Sequence, residues 1–361
     1  YRIANNEFLL QHAANKNILI KGIVPTEASV TIVNARHQQT PSALLHSIAD
    51  SMPVVCGELL LKNKTTHYFS FAKQDSSSGS GKDLATVYQN AETGRQKIAN
   101  RIKVVTPDPY INTIGGAIGI AADAIWESPS FMHGAIGWRM RLNGWRGAYA
   151  ADVLGWHDRA REHFRAYAKS QLTTPESGRV VPDTILNLAR QQEKLGNSVF
   201  SSGYISRNPN GDFRPHHYDM NLVFIDQLLW HFNWTGDTAF VKEMWPLLKL
   251  HLAWEKRNFD VDDDGLYDAY AAIWASDALQ YSGGAVTHSS AYNYRANKMA
   301  ALLAGMIGED GSQYSKEADK ILKALNTVLW MKDKGVYAEF KDALGLQQLH
   351  TRPAIWSIYH A

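Results

Sequence analysis

The chain has 361 residues, 45% of them apolar and 20% charged, and a formal net charge of +2. These values are typical of a globular protein large enough for more than one domain. So small a charge gives no reason to expect nucleic acid or anionic lipid as a partner, and no apolar run approaches the length of a membrane span. The single cysteine, Cys56, excludes an internal disulfide.

The first 75 residues predict a β-rich N-terminal region, because short β-prone runs such as NILIKGIV and SVTIVNA alternate with turn-like breaks. Residues 76–107 predict a Gly/Ser-rich loop and a linker helix with the sequence DLATVYQNAETGRQKIANRI. Residues 108–361 predict a helical domain, which opens at Asp108-Pro109.

Two kinds of helix alternate in the helical domain. Segments that are apolar nearly all round predict buried inner helices at 145–155, 218–232 and 290–308. Amphipathic segments predict outer helices at 157–171, 237–257 and 312–330. Each pair is joined by a glycine turn, at Gly155, Gly236 and Gly308. The pattern indicates a repeated helical hairpin.

Long insertions precede the inner helices, at 128–144, 172–217, 259–289 and 331–352. Long loops inside a compact domain are usually functional. Because parallel inner helices begin at the same end of a barrel, we expect the four loops to meet there and to carry the site.

This pattern resembles the six-hairpin (α/α)6-barrel glycosidases, which include glucoamylase, trehalase, α-L-rhamnosidase and maltose-phosphorylase-like enzymes. The resemblance covers residues 84–361 and rests on GWRGAYAADVLGWHDRAREHF, DVDDDGLYD and SSAYNYRANKMAALLAGMIG. Within the superfamily the chain is similar to a group of large bacterial proteins that indicates no substrate. The resemblance implies a mainly α fold, an (α/α)6 toroid barrel after a small β-sandwich-like region. We expect the barrel to be incomplete at the C-terminus, since six hairpins need twelve helices.

Asp277 is the candidate general acid. It lies between Trp274 and Tyr281 in the loop before an inner helix. Glycosidic cleavage needs a carboxylic acid that holds its proton near neutral pH, and a wall of aromatic rings raises a carboxyl pKa. The resemblance also implies an acid in the loop before this helix. Substrate binding and a structural role remain open for Asp277.

Asp219 is the second catalytic candidate, at the start of an inner helix in the sequence RPHHYD. It could bind sugar hydroxyls or cap the helix. Substrate binding is also predicted for His216, His217, Tyr218, Trp274, Tyr281 and His288. No zinc site is expected from these histidines, because adjacent histidines seldom converge on one metal.

The segment HGAIGWRMRLNGWRGAY, residues 133–149, is similar to the rhamnosidase segment that carries the acid of those enzymes. Met140 stands where they have Glu, and a thioether cannot donate a proton. Trp138, Trp145 and Arg146 remain candidates for stacking on a sugar ring and binding its substituents, with packing as the alternative. Asp152, inside an apolar helix, is expected to be structural and to need a partner such as an arginine.

Five aspartates crowd into the sequence DVDDDGLYD, and Asp260, Asp262 and Asp264 match the start of a calcium loop. The twelfth position holds Ala271 instead of the expected Glu. The favoured interpretation is therefore a solvated turn whose aspartates cap backbone N–H groups, with calcium as the alternative and no other cofactor expected.

These features together predict a glycosidase that cleaves an oligo- or polysaccharide by acid-assisted hydrolysis, and the resemblance implies inversion. The alternatives are a non-catalytic glycan-binding protein on a degenerate barrel, an (α/α)-barrel polysaccharide lyase using Tyr218, His217 and Arg214, and a phosphorylase. The second catalytic group is not identified. The only expected partner is a carbohydrate. No signal peptide is visible, and a bacterial periplasmic or secreted location is expected from the substrate class.

Overall fold

The computed structural model describes residues 2–49, 52–73, 83–134, 138–176, 201–209, 219–269, 284–342 and 346–355. It divides into two compact units, Tyr1–Asn100 and Arg101–Ala361. In the described residues no helix is both long and apolar enough to cross a membrane.

The first unit is built from short antiparallel strands. In chain order its elements are β1 (Arg2–Ala4), β2 (Glu7–Gln11), β3 (Leu19–Ile23), β4 (Ser29–Asn34), α1 (Pro41–Leu45), β5 (Pro53–Glu58), β6 (Ser70–Lys73) and α2 (Leu84–Ala99). Four strands form a sheet in the order β1-β2-β3-β6, and β4 pairs with β5.

Close packing on the four-stranded sheet depends on a glycine. Gly22 of β3 pairs with Phe8 of β2 and with Phe71 of β6. A Cβ atom at Gly22 would lie 2.0 Å from the Phe8 ring, so only glycine leaves room for it. The Phe8 ring is buried and lies 5.9 Å from the Phe71 ring. Phe8 is thus the buried ring of this sheet, whereas Phe71 is exposed.

The second unit is mainly helical. In chain order its elements are α3 (Pro109–Asn112), α4 (Ile114–Ala124), β7 (Trp126–Glu127), β8 (Ser130–His133), β9 (Met140–Arg141), α5 (Gly147–Val153), α6 (His157–Ala168), α7 (Met220–Thr235), α8 (Thr238–Phe259), α9 (Thr287–Ile307), α10 (Ser312–Ala324), β10 (Trp330–Met331), β11 (Val336–Tyr337), β12 (Phe340–Lys341) and β13 (Leu349–His350). The three predicted helical hairpins are α5/α6, α7/α8 and α9/α10.

The inner helices α5, α7 and α9 run parallel, side by side. At their starts Gly144 packs so closely on Met220 that a Cβ at Gly144 would lie 2.1 Å from the Met220 carbonyl oxygen. Tyr292 of α9 packs in the same cluster as Met220. Further along, Nδ1 of His231 on α7 lies 2.9 Å from Oδ1 of Asp152 on α5. The starts of all three inner helices therefore lie at one end of the unit.

The turns that reverse the chain are the predicted glycines. Gly236 and Gly308 adopt φ values of 59° and 82°, and Gly155 has a φ of 70°. These values lie in the left-handed region, where glycine has no Cβ penalty. Asp237 then accepts hydrogen bonds from the backbone N–H groups of Ala239 and Phe240 and begins α8.

Two expectations about the hairpins need correction. The insertions 128–144 and 331–352 are not plain loops, because β7, β8 and β9 form a small sheet and β10–β13 form two short hairpins. The inner helices are not buried all round either. Exposed large apolar side chains on their far halves are Trp230, Trp234, Leu302 and Met306. No other described helix covers these faces, and the described residues contain three hairpins and α4, not a closed barrel of twelve helices.

Candidate functional site

A buried pair of carboxyl groups lies in the second unit, at the end where the inner helices begin. Asp219 directly precedes α7 and is 3% exposed. Glu255, on the outer helix α8, is also 3% exposed. The negative charge of Asp219 acts on Glu255. We call Asp219 and Glu255 the carboxyl pair.

The surroundings of Glu255 keep its side chain protonated. Burial raises its pKa to about 8, a hydrogen bond from Asn293 opposes the rise, and the charge of Asp219 adds to it. Nδ2 of Asn293 lies 3.0 Å from Oε2 of Glu255 and also donates to the Ser289 carbonyl oxygen. Because this pKa lies above 7, Glu255 holds a proton at neutral pH. A proton-bearing carboxyl whose pKa is raised by a second carboxylate is one setting from which enzymes form acid–base pairs.

Glu255 is not among the residues predicted from the sequence, because the pattern places it on the charged face of an amphipathic outer helix. In the sequence it is followed by Lys256 and Arg257, which mask its position. The spacing does contain a signal. Buried residues of α8 recur three or four positions apart on the same face as Glu255: His251, Trp254, Asn258 and Phe259.

The segment 201–209 is held against the start of α7 by two asparagines. Asn221 accepts from the Ile205 backbone N–H through Oδ1 at 2.6 Å and donates to the Ile205 carbonyl oxygen through Nδ2 at 3.0 Å. Asn143, just before α5, donates to the same carbonyl oxygen at 3.2 Å. These amides are buried. They fix the Ile205 backbone at the start of α7 and link the starts of α5 and α7.

Trp145 and Arg146, two of the predicted substrate-binding residues, lie together at the start of α5. The Trp145 ring makes an edge contact with His133 at 4.1 Å between centroids, and the Arg146 guanidinium lies 6.0 Å from the Trp145 ring centroid. Trp145 also packs against the buried cluster that includes Met220 and Tyr292. The ring is thus partly a packing element, whereas Arg146 is exposed.

Trp138 lies apart from that contact, in the connection between β8 and β9, and is 70% exposed. Met140, in β9, stands where the rhamnosidase-like motif would carry an acid. Its sulfur atom accepts from Nη2 of Arg207 at 3.1 Å. The neighbouring Arg141 donates to the Ser130 hydroxyl. This hairpin therefore presents an aromatic ring and guanidinium groups.

The other predicted residues divide into described and undescribed ones. His288 is the second residue of α9 and is fully buried. Six predicted site residues lie outside the described part of the chain: Asp277, Trp274, Tyr281, His216, His217 and Tyr218. Arg214, named for a lyase, lies outside it as well.

The described flanks of these segments lie at the candidate site. Asp268 bridges to Ala285 as an antiparallel pair, and the Tyr267 backbone N–H donates to the Ser290 hydroxyl at 2.9 Å. Both flanks of the segment 270–283, which contains Asp277, are therefore attached at the start of α9. Asp219 itself is the C-terminal flank of the segment 210–218.

The aspartate cluster after α8 is a turn, but it is not wholly solvated. Asp260 is buried and binds the Lys256 ammonium group, which also donates to Glu317 at 3.0 Å. Asp264 caps the Leu266 backbone N–H at 2.7 Å. Oxygen atoms of Asp260, Asp262 and Asp264 lie within 4.8 Å of one another, a spacing that a cation could use. Lysine already supplies a positive charge to the most buried of the three.

Asp152 has partners of a kind that the sequence did not indicate. The expected arginine is replaced by two histidines, because Nδ1 of His157 lies 2.7 Å and Nδ1 of His231 2.9 Å from Oδ1 of Asp152. These partners come from α6 and α7. The cluster lies at the far end of the inner helices from the carboxyl pair.

The first 92 residues match a family model described as a domain of unknown function, DUF4450. No curated protein matches the chain. The match covers most of the first unit and includes none of the candidate site residues.

Three solved structures are similar to the chain. A rhamnosidase from Klebsiella oxytoca with rhamnose bound shares 14% identity at a TM-score of 0.49, over 94% of this chain and 66% of that one. A family GH78 rhamnosidase of Bacillus sp. GL1 shares 13% identity at a TM-score of 0.47, over 93% of this chain and 34% of that one. A family 76 glycoside hydrolase from a bovine Bacteroides thetaiotaomicron strain shares 9% identity at a TM-score of 0.34, over 93% of this chain and 67% of that one. The chain thus spans about a third of the Bacillus enzyme. Similarity at these values carries neither substrate nor mechanism to this chain.

Proposed function

We propose that this protein is a glycosidase that cleaves an oligo- or polysaccharide by acid-assisted hydrolysis at the end where α5, α7 and α9 begin. The carboxyl pair is the observation that supports the proposal. Glycosidic cleavage needs one carboxyl that keeps its proton and one that is ionised. The carboxyl pair supplies Asp219 as the second of these carboxyls at that end of the helical unit, with Glu255 as its buried neighbour.

The proposed proton donor is Asp277, which would protonate the leaving oxygen of the glycosidic bond. Asp219 is the second carboxyl of the site, and it would bind sugar hydroxyls or activate the attacking water. Inverting hydrolysis would require the donor and the base to be roughly 6.5–9.5 Å apart, which leaves room for that water. Glu255 is a positioning residue, because as a neutral acid it can lie beside Asp219 without charge repulsion.

Aromatic and polar side chains around this end would bind the sugar rings. A flat ring beside hydrogen-bonding groups suits a sugar, which is apolar on its faces and polar on its edges. The proposed contacts are Trp138, Trp145, Arg146, His216, His217, Tyr218, Trp274, Tyr281 and His288. The enzyme would act in a bacterial periplasm or outside the cell, where such glycans are met.

The test is product release from a panel of plant, host and microbial glycans, with reducing ends and ultraviolet absorbance both measured. The parent is compared with Asp277→Asn and Asp219→Asn, and Asp310→Asn serves as the control because Asp310 lies in the exposed α9/α10 turn. Loss of the acid should lower kcat by about 10²–10⁴-fold. Equal activity in Asp277→Asn and the parent would refute Asp277 as the donor.

Two chemistries in the same experiment would redirect the proposal. A lyase product absorbs in the ultraviolet, whereas a hydrolase product does not. A phosphorylase releases product only when phosphate is added. Either result would refute hydrolysis while leaving the location of the site in place.

A non-catalytic glycan-binding protein is the second candidate. The observation that favours it is Met140, which occupies the acid position of the rhamnosidase-like segment and contacts Arg207. Retained glycan binding with no product from any glycan would support this candidate over the glycosidase.

A further inference from the structure

A second cluster of titratable side chains lies away from the carboxyl pair, where α5 ends, α6 begins and α7 nears its end. It consists of Asp152, His157 and His231, which we call the Asp-His-His cluster. The side chains of Asp152 and His231 are 4% and 0% exposed, and that of His157 is 42% exposed. Three helices thus contribute one group each, and one of the three groups faces solvent.

The turn between α5 and α6 places His157 over Asp152. Gly155 has a φ of 70°, and the Trp156 backbone N–H donates to the Ala151 carbonyl oxygen at 2.8 Å. The guanidinium groups of Arg101 and Arg159 lie 5.0 Å and 4.3 Å from the Trp156 ring. The residue before His157 is therefore fixed, and His157 begins α6 with its imidazole directed back to the end of α5.

The ligand atoms of the cluster are spaced as in a metal site. Nδ1 of His157 lies 2.7 Å and Nδ1 of His231 2.9 Å from the same oxygen, Oδ1 of Asp152. The three residues offer one ligand atom each, and these atoms all lie within 4.8 Å of one another. Ligands at the usual zinc distances in a tetrahedral site are roughly 3.3 Å apart. The two N–O distances would have to widen by about 0.4–0.6 Å to admit the ion.

The environment of His231 favours a cation on the Asp152 side of its ring. Its Nε2 is buried and has no hydrogen-bond partner within the described residues. The ring centroids of Phe164 and Phe240 lie 5.5 Å and 5.2 Å from that of His231, so apolar rings pack around the imidazole. If Nε2 carries the proton, the lone pair of Nδ1 points at a carboxylate. A positive ion between the two removes that repulsion.

We propose that Asp152, His157 and His231 form a site for a divalent transition metal of the zinc class. Two imidazoles and a carboxylate are a ligand set that such ions take, and the half-exposed His157 leaves a position for water. Binding would displace any protons held on the two Nδ1 atoms into solvent. Because the ligands come from three helices, the metal would join the first two hairpins at the end opposite the carboxyl pair.

The test uses the full chain, stripped of metal with a chelator and titrated with Co²⁺, whose visible absorption reports low-symmetry coordination. We expect one equivalent to bind and Zn²⁺ to displace it. His157→Ala should weaken binding by at least about 10–100-fold, the effect of removing a group that merely supports a ligand. His350→Ala is the matched control, since His350 is also 42% exposed and paired with one carboxylate, Asp342. It should bind Co²⁺ like the parent.

His157→Cys guards against a folding defect in the alanine variant. A thiolate at this position would replace the imidazole and add sulfur-to-cobalt charge-transfer absorption, which arises only if the metal contacts residue 157. The proposal is overturned if the parent binds no Co²⁺, if His157→Ala binds as tightly as the parent, or if the cysteine variant binds without that absorption. In those cases the cluster is held by protons alone.

Discussion

Asn293 donates a hydrogen bond of 3.0 Å to Oε2 of Glu255, and both side chains are buried between α9 and α8. The bond fixes the acid but does not offset its burial, so the pKa of Glu255 is raised to about 8. A glutamate in the unfolded chain has a pKa of 4.5. The difference makes the stability of the second unit depend on pH.

Glu255 should make the protein less stable as the pH rises from 4.5 to 8. Between these values the folded state holds a proton that the unfolded state has lost, so the free energy of unfolding falls by up to about 1.4 kcal/mol per pH unit. The contribution is fully present below pH 4.5 and is lost as the pH passes 8. Urea unfolding at several pH values, on the parent and on Glu255→Gln, measures this slope.

Glutamine keeps the shape of the side chain and can still accept from Asn293, so the slope due to residue 255 should vanish in Glu255→Gln. Glu243→Gln is the control, because Glu243 is partly exposed and its pKa is lowered by hydrogen bonds from Arg165. Parallel pH profiles for the parent and Glu255→Gln would show that Glu255 is ionised in the folded protein.

Lys256→Met should destabilise the second unit through Asp260. The Asp260 side chain is fully buried, and Lys256 supplies its positive partner while also binding Glu317. Removing one partner of a buried ion pair costs about 3–5 kcal/mol, and since Lys256 is 32% exposed we expect a smaller loss, about 1–3 kcal/mol. Chemical denaturation gives the value.

Lys320→Met is the control for Lys256→Met, because it also removes one positive charge but leaves the buried Asp260 with its partner. Lys320 binds only Asp263 among the described acids, at 2.5 Å, and the Asp263 side chain is 70% exposed. An exposed ion pair contributes about 0–1 kcal/mol. Similar losses for the two lysine variants would mean that the burial of Asp260 is not what makes Lys256 important.

Tyr149, Asp226 and Arg295 should behave as one coupled network. The Tyr149 hydroxyl donates to Oδ2 of Asp226 at 2.5 Å, and Nε of Arg295 donates to Oδ1 at 2.6 Å. The three residues join α5, α7 and α9. Tyr149→Phe should cost about 1–3 kcal/mol, because it removes a hydrogen bond to a charged acceptor.

A double-mutant cycle with Arg295→Met measures the coupling, since the two donors share one carboxylate. We expect the double variant to depart from the sum of the single effects by about 0.5–3 kcal/mol. Additive effects would show that Tyr149 and Arg295 act on Asp226 independently.

The helices were predictable because local signals specify them. The predicted outer helix 237–257 is Thr238–Phe259 in the structure, since Asp237 caps its start and its apolar face has a helical period. The left-handed turns at Gly236 and Gly308 were equally visible in the sequence. Local signals do not show which helix faces pack against another element. Trp230 and Leu302 lie on apolar faces that the pattern predicts to be buried, but both are exposed.

The candidate site was less predictable, because it depends on contacts between distant segments. Asp219 was found from its place at the start of an inner helix, whereas Glu255 was missed because its burial depends on α9 packing over α8. His231 pairs with Asp152 across 79 positions, and no short motif records such a contact. The role of Asp277 remains a prediction, since it lies outside the described residues.

Gly144→Ala should disturb the close approach of α5 and α7 at their starts. A Cβ atom there would lie 2.1 Å from the Met220 carbonyl oxygen and 3.0 Å from its Cα, and backbone atoms cannot move aside as a flexible side chain can. Overpacking of this kind typically costs about 1–3 kcal/mol, and the backbone contact places Gly144→Ala at the upper end.

Gly305→Ala is the matched control in the same unit, because nothing lies within 4 Å of a Cβ at that helical position. It should stabilise the protein by about 0.5–1 kcal/mol through helix propensity. In thermal unfolding we therefore expect the melting temperature to fall in Gly144→Ala and to rise in Gly305→Ala. A parent-like melting temperature for Gly144→Ala would mean that α5 and α7 do not approach so closely at their starts.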